Sequence, residues 1–430
     1  MNFQVKFIFI PFLFLSTFFA YGQTDHPSFP AIYQMITEND YFRAAALFDP
    51  VKEELPETYR LVAGAFLDNA FNRLESSQEQ IDLLLGKGEG KAPAEGFLPD
   101  SLLMELYSIR EDNAIKMYDY AKARDAAMVQ LERFGHLLDG PGKENVGNNL
   151  TLWSALSEVP TQRITIEGYT VLELQKDIAG LDNITVSAGG ETLGFIFDTG
   201  ANLSTVCKSV AENMGMDIIP VEIQVGSITG EKVPAQLAVC EQMSIGKIVV
   251  KNIVFLVFPD DQLSFPQVGY KISGILGYPV IEAFGEIQIT REGTMIIPQE
   301  YSAFSGPSNM AMDGLTPLIC LEGDPYTFDT GADHTMLYAA YYQDNREIIE
   351  ESCKPEKVTF GGAGGIREFD GFVIDKTFNI SGKEITVEGI HLLKEKIKET
   401  ETVYGNIGQD IMGQFSKMIL NFDRMFILFE

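Results

Sequence analysis

Phe197-Asp198-Thr199-Gly200-Ala201-Asn202 and Phe328-Asp329-Thr330-Gly331-Ala332-Asp333 are nearly the same hexapeptide, and their aspartates lie 131 residues apart. Each follows a strand-like pair, Phe195-Ile196 and Tyr326-Thr327. A single Asp-Thr-Gly is an ordinary strand-to-turn junction. Two of them at a fixed offset carry information only if other features recur at the same offset.

They do. Ile184-Thr185-Val186-Ser187 and Leu193-Gly194-Phe195-Ile196-Phe197 flank Ala188-Gly189-Gly190, which reads as a β-hairpin. Leu318-Ile319-Cys320-Leu321 and Tyr326-Thr327-Phe328 flank Glu322-Gly323-Asp324 in the same way. Gly274-Ile275-Leu276-Gly277 precedes Gly405-Asn406-Ile407-Gly408 by 131 residues, and each second glycine follows its aspartate by 79. Further on, Ile281, Phe284, Ile287 and Ile289 meet Met412, Phe415, Met418 and Leu420. Between these matches one five-residue shift is needed, aligning Gly246-Lys247 with Gly382-Lys383. The C-terminal half is read as a tandem duplication of one β unit.

Asp-Thr-Gly-Ala followed by an apolar-apolar-Gly strand resembles the aspartic peptidases, and each unit is similar in size to a retropepsin monomer. Asp329-Thr330-Gly331-Ala332-Asp333-His334-Thr335 is especially similar to the retropepsin pattern. The resemblance covers roughly residues 160–430. It implies retropepsin-type units fused in one chain, as in exported bacterial members, with an all-β, double-lobed acid-protease fold.

The chemistry fits the residues. Peptide hydrolysis without a metal or covalent intermediate needs one group to activate water and another to protonate the carbonyl oxygen. Two carboxylates about 3 Å apart cannot both ionise, so one shared proton fills both roles. Asp198 and Asp329 are the expected catalytic pair. Gly200 and Gly331 lack a Cβ, so the turn can be tight and an amide can approach the carboxylate. The resemblance implies that Thr199 and Thr330 cross-brace the two loops. Ser204 and Thr335, six residues after each aspartate, are expected on the outer carboxylate oxygens. Gly277 and Gly408 would let a strand pass close behind each loop.

Two glycine-bearing stretches are expected to be substrate-binding flaps that close over the cleft. One centres on Gly226, Ser227 and Ile228, the other on Gly361, Gly362 and Ala363. Neither contains the flap tyrosine of pepsin-like enzymes.

Apart from this half, residues 1–22 read as a signal peptide: Lys6, an apolar run from Phe7 to Leu15, and small residues near Ala20-Tyr21-Gly22. The run is short for a membrane span and contains Pro11, and no Cys near the cleavage site supports a lipid anchor. A periplasmic or secreted protein is expected. From 23 to 140 the apolar residues recur at helical spacing, as in Tyr41, Ala44, Ala45, Leu47 and Phe48. Asp40-Tyr41 and Asp119-Tyr120 each open a second helix, with Ala three residues after the Tyr. A middle hairpin is expected from about Glu57 to Leu85, with Ala63, Ala65, Ala70 and Leu74 pointing inward. The region resembles tetratricopeptide-type hairpins and is read as a packed helical domain, a partner platform or a propeptide. Residues 141–160 read as a linker, from Pro141-Gly142 and Gly147-Asn148-Asn149. Lobe 1 is then placed at 161–300 and lobe 2 at 301–430.

Composition narrows the partners. A net charge of −29 argues against nucleic acid and anionic membranes. With four histidines and no CxxC, neither metal nor cofactor is expected. Cys207, Cys240, Cys320 and Cys353 allow three complete pairings or none. The function read from the chain is an aspartic endopeptidase acting on peptide or protein substrates as a monomer with an internal pseudo-dimer. The alternative is a non-catalytic peptide-binding module that kept the cleft, with the helices as scaffold. In a third arrangement the units pair between chains.

Overall fold

The computed structural model describes residues 3–4, 28–86, 98–227, 232–266, 269–362, 365–397 and 401–430. Apart from residues 3–4, the leader read over 1–22 lies outside the described residues. The chain divides into a helical unit, ending near Glu158, and a β-rich unit formed by Val159–Met310 and Leu315–Glu430.

Among the described residues the helical unit contains seven helices: α1 (Ser28–Thr37), α2 (Tyr41–Val51), α3 (Glu57–Ala70), α4 (Leu74–Leu84), α5 (Asp100–Lys116), α6 (Tyr120–Phe134) and α7 (Gly140–Leu156). Asp40 and Asp119 cap α2 and α6, their carboxylates accepting from Arg43 N at 3.3 Å and Lys122 N at 3.1 Å. Three hairpins share one turn. Asn39, Asn72 and Tyr118 have φ of 59°, 56° and 57°, each two residues before the second helix of its pair. Ala63, Ala65, Ala70, Ala123, Ala126 and Ala127 are buried, so neighbouring helices approach closely. Leu74, expected to point inward, is only half-buried at the first position of α4.

The stretch read as a linker is a helix. Asp139 caps α7 by accepting from Gly142 N at 2.7 Å, and Pro141 sits in the first turn, where its missing N–H costs nothing. Val146, Leu152, Trp153 and Leu156 are buried along one face. That burial outweighs the low helix propensity of the glycines and asparagines.

In the β-rich unit the two copies take the same path. The hairpin Asp182–Ala188/Glu191–Phe197 ends at Asp198, and the hairpin Thr316–Leu321/Asp324–Phe328 ends at Asp329. The chain then makes a short strand, Ser204–Cys207 or Met336–Leu337, and leaves through long hairpins. It returns as Gly274–Leu276 or Gly405–Ile407, slotted between the other two strands. The returning strand is parallel to the first and antiparallel to the second, with Ile275 opposite Ile196 and Thr205, and Asn406 opposite Thr327 and Met336.

The copies meet in one sheet. Glu286–Thr290 pairs antiparallel with Lys417–Asn421, and Thr294–Ile297 and Phe426–Phe429 extend it on either side. In this ladder Gln288 lies opposite Ile419, its own counterpart 131 positions further on. A local twofold therefore passes between them. The result is a retropepsin-like β fold whose two halves follow the same strand path.

Candidate active site

Both aspartate loops are held by the same hydrogen bonds. Asp198 N donates to Leu276 O and Asp329 N to Ile407 O, each at 3.1 Å. Tyr278 N reaches Ala201 O at 2.8 Å, and Gln409 N reaches Ala332 O at 2.9 Å. The returning strand is thus stitched to both sides of each turn. Gly277 and Gly408 make this approach sterically feasible. A Cβ on Gly277 would lie 2.7 Å from Ala201 O, and one on Gly408 would lie 2.6 Å from the His334 carbonyl carbon.

The hydroxyls expected on the outer carboxylate oxygens are used elsewhere. Ser204 Oγ accepts from Gly277 N at 3.1 Å, and Thr335 Oγ1 accepts from Gly408 N at the same distance. Thr335 has one hydroxyl hydrogen, and it goes to Asp410 Oδ1 at 2.6 Å. These residues tie the returning strand to the loop. The signal for that role is the shared 131 offset of Ser204/Gly277 and Thr335/Gly408.

Across the local twofold the two loops are interlocked. Thr199 N donates to Thr330 Oγ1 at 3.0 Å, and Thr330 N to Thr199 Oγ1 at 3.1 Å. Each hydroxyl passes its own hydrogen onward, Thr199 Oγ1 to Phe328 O at 3.0 Å and Thr330 Oγ1 to Phe197 O at 2.9 Å. Three buried polar groups per side, a threonine N–H, its hydroxyl and a phenylalanine C=O, are satisfied by these four bonds.

This brace brings the two aspartates together. Both are buried, at 0% and 1% exposure. Gly200 N donates to Asp198 Oδ1 and Gly331 N to Asp329 Oδ1, each at 2.8 Å. Burial, and with it the neighbouring Asp329 carboxyl, pushes the Asp198 carboxyl up to about 7. Gly331 lies against that carboxyl, where a Cβ would come 2.2 Å from Asp198 Cγ.

Both stretches expected as flaps are hairpins. Asp217–Ser227 pairs with Lys232–Ile245, placing Gly226 opposite Lys232, and Glu356–Gly362 pairs with Gly365–Ile380, placing Gly361 opposite Ile366 and Gly362 opposite Gly365. The tips, including Ile228 and Ala363, lie outside the described residues. Sequence reasoning gave no role to Asn406 beside Asp329, or to Gln409 behind the second loop and the Lys176 bound to it. Asn406 Nδ2 donates to Asp329 Oδ2 at 3.4 Å, and Gln409 Nε2 to Thr330 O at 2.7 Å. Asn406 was visible only as a departure from Ile275 at the matching position.

No curated protein matches the chain. A retropepsin-like aspartic protease from Rickettsia conorii is 21% identical over 32% of this chain and 93% of its own, with a TM-score of 0.23. The aspartyl protease family model matches residues 184–280, the segment that runs from the first hairpin through Asp198 to the returning strand. The segment that carries Asp198 thus matches the aspartyl protease family model.

Proposed function

We propose that the protein is an aspartic endopeptidase whose catalytic residues are Asp198 and Asp329. The observation that carries this reading is the pair of buried carboxyls, Asp198 and Asp329, on two cross-braced loops of one chain. Such a pair holds one proton at neutral or mildly acid pH. A water seated between the carboxyls loses a proton to one while the other protonates the scissile carbonyl. Gly200 and Gly331 supply the amides that hold each carboxylate, and the two hairpins, around Gly226–Ser227 and Gly361–Gly362, are the flaps that cover an extended peptide. Because one chain supplies both aspartates, a monomer is sufficient.

A binding module that kept the cleft has no need of either carboxyl, whereas hydrolysis needs both. Asp198→Asn and Asp329→Asn, each assayed on a peptide library between about pH 3 and 7, separate the two. Loss of cleavage in both variants, with pepstatin bound by the wild type, is the expected result. A wild type that cleaves nothing and ignores pepstatin would sink the enzyme reading.

The leader points to export, with action in the periplasm or outside the cell, and the helical unit is read as a platform for a protein partner. Mass spectrometry of the secreted mature chain checks the first point through its N-terminus. Affinity capture with the helical surface mutated checks the second.

A further inference from the structure

Inside the helical unit, three side chains from two helices close a triangle. Lys116 and Asp112 stand one turn apart on α5, with Lys116 Nζ 2.6 Å from Asp112 Oδ2. Asn69, near the end of α3, joins both. Its Nδ2 donates to the same Asp112 Oδ2 at 2.7 Å, and its Oδ1 accepts from Lys116 Nζ at 3.3 Å. An ammonium only donates and a carbonyl only accepts, so this amide orientation is chemically forced. All three residues are buried, each 5% exposed. Asn69 Nδ2 also donates to Asn113 Oδ1 at 3.0 Å. Asn113 Nδ2 in turn donates to Ser77 Oγ at 2.9 Å, and that hydroxyl donates to Ala65 O at 2.7 Å. The carboxamide is thus held in place by a line of bonds anchored on α3 and α4.

As a device for stability alone the triangle is poor. Two charges taken out of water are repaid only when their remaining hydrogen-bonding groups are met as well. Asp112 Oδ1 is buried and has no hydrogen-bond partner among the described residues. The bonds from Lys116 Nζ to Asn69, one to Oδ1 and one to the backbone O, are both 3.3 Å, at the long end of the range. As a reacting arrangement the triangle is complete. An amine nitrogen lies against an amide carbonyl. One carboxylate oxygen touches both the nitrogen that would attack and the nitrogen that would leave, at distances suited to proton transfer. Burial keeps away water, the competing nucleophile, and the packed helices hold the reacting groups in contact.

We propose that Lys116 and Asn69 join in an isopeptide bond, with Asp112 relaying the protons. Lys116 first passes one proton to Asp112, which leaves the net charge of the pair unchanged. The free amine then bonds to Asn69 Cγ, and the Cγ–Nδ2 bond breaks. Lys116 Nζ loses two hydrogens in all and keeps one as the new amide N–H. Asp112 hands both to Nδ2, which departs as ammonium, and Asp112 ends as the carboxylate it began as. Nothing is oxidised or reduced. The bond ties α3 to α5 across 47 residues of sequence, so the two helices stay joined when the unit unfolds.

Peptide mass spectrometry of the full-length chain, purified folded and then denatured and digested with trypsin, tests this. The peptide Leu61–Arg73 should be recovered joined to Glu111–Lys122, uncut after Lys116 and lighter than the sum of the two by one ammonia. Fragmentation should place the link on Asn69 and Lys116. Lys116→Arg removes the nucleophile and should release Leu61–Arg73 as a free peptide. Asp112→Asn keeps the shape but not the relay, and should do the same. Circular dichroism and Trp153 fluorescence show whether each variant is folded. Because the linked peptide is sought in the wild type, a variant that fails to fold leaves the test intact. A wild type cut after Lys116, with Leu61–Arg73 free, overturns the proposal. A link lighter by one water places the bond on Asp112 and overturns it equally. A link formed as fully in Asp112→Asn overturns the relay.

Discussion

Thr199 and Thr330 each accept the other's backbone N–H, at 3.1 and 3.0 Å, and so join two loops that are 131 residues apart in sequence. This exchange fixes the separation of the carboxyls next to it. Thr199→Val would remove the acceptor for Thr330 N and the donor to Phe328 O while preserving shape. Leaving two buried polar groups unmet costs about 2–6 kcal/mol, whereas Thr199→Ser keeps both bonds and costs about 1. Urea unfolding of the two variants should show that order, and Thr330→Val and Thr330→Ser should mirror it. Equal losses for Val and Ser would mean that the hydroxyls do not brace the loops.

Gly331 is required for space. A Cβ there would lie 2.2 Å from Asp198 Cγ and 2.4 Å from Oδ2. Relief requires moving a carboxyl already fixed by Gly200 N and by Asp329. Gly331→Ala should lower kcat/KM by about 100-fold or more, since displacements near 1 Å at reacting groups cost that much. Its far-ultraviolet circular dichroism should remain that of the wild type. Activity within a few-fold of wild type would show that the pair tolerates displacement.

Much of this arrangement was legible because it is written twice. Repetition at one offset identified Asp198, Asp329 and the glycine strands, and alternating apolar runs gave the hairpins. What repetition could not reveal is what differs between copies: the hydrogen bonds of Asn406, Gln409 and Lys176 join side chains brought together by the fold. The α7 error was of another kind. Gly142, Gly147 and Asn149 read as turn residues, but the spacing of Val146, Leu152, Trp153 and Leu156 already marked one apolar helix face. Ser204 and Thr335 were expected on the outer carboxylate oxygens, but their hydroxyls accept from the neighbouring glycine amides.

None of the four cysteines forms a disulfide. Cys207 and Cys240 are buried, and Cys320 and Cys353 are half-buried. Burial pushes the Cys240 thiol up to about 11, so its thiolate is scarce at pH 8. With Ellman's reagent under native conditions, Cys353 and Cys320 should react well before the other two. In guanidinium without reductant, all four should react. Fewer than four would reveal a disulfide in the mature chain.

Trp153, the only tryptophan, donates its indole N–H to Glu111 Oε1 at 2.9 Å, so its fluorescence reports on the helical unit alone. Glu111 is 2% exposed and also accepts from Gln130 at 2.6 Å and Asn149 at 3.0 Å. Burial raises its carboxyl to about 7 from an ordinary 4.5, against these three donors. The folded state therefore holds a proton that the unfolded chain releases between those values. The stability from this group is fully present below about 4.5 and is lost as pH rises through about 7, with a slope of at most about 1.4 kcal/mol per pH unit. Urea unfolding followed at Trp153 should give midpoints that fall from pH 4.5 to 7.5. Glu111→Gln places an NH2 among donors, so it should be less stable throughout, but its midpoint should lose that part of the pH slope. If the slope is the same in wild type and variant, Glu111 is not the group that titrates.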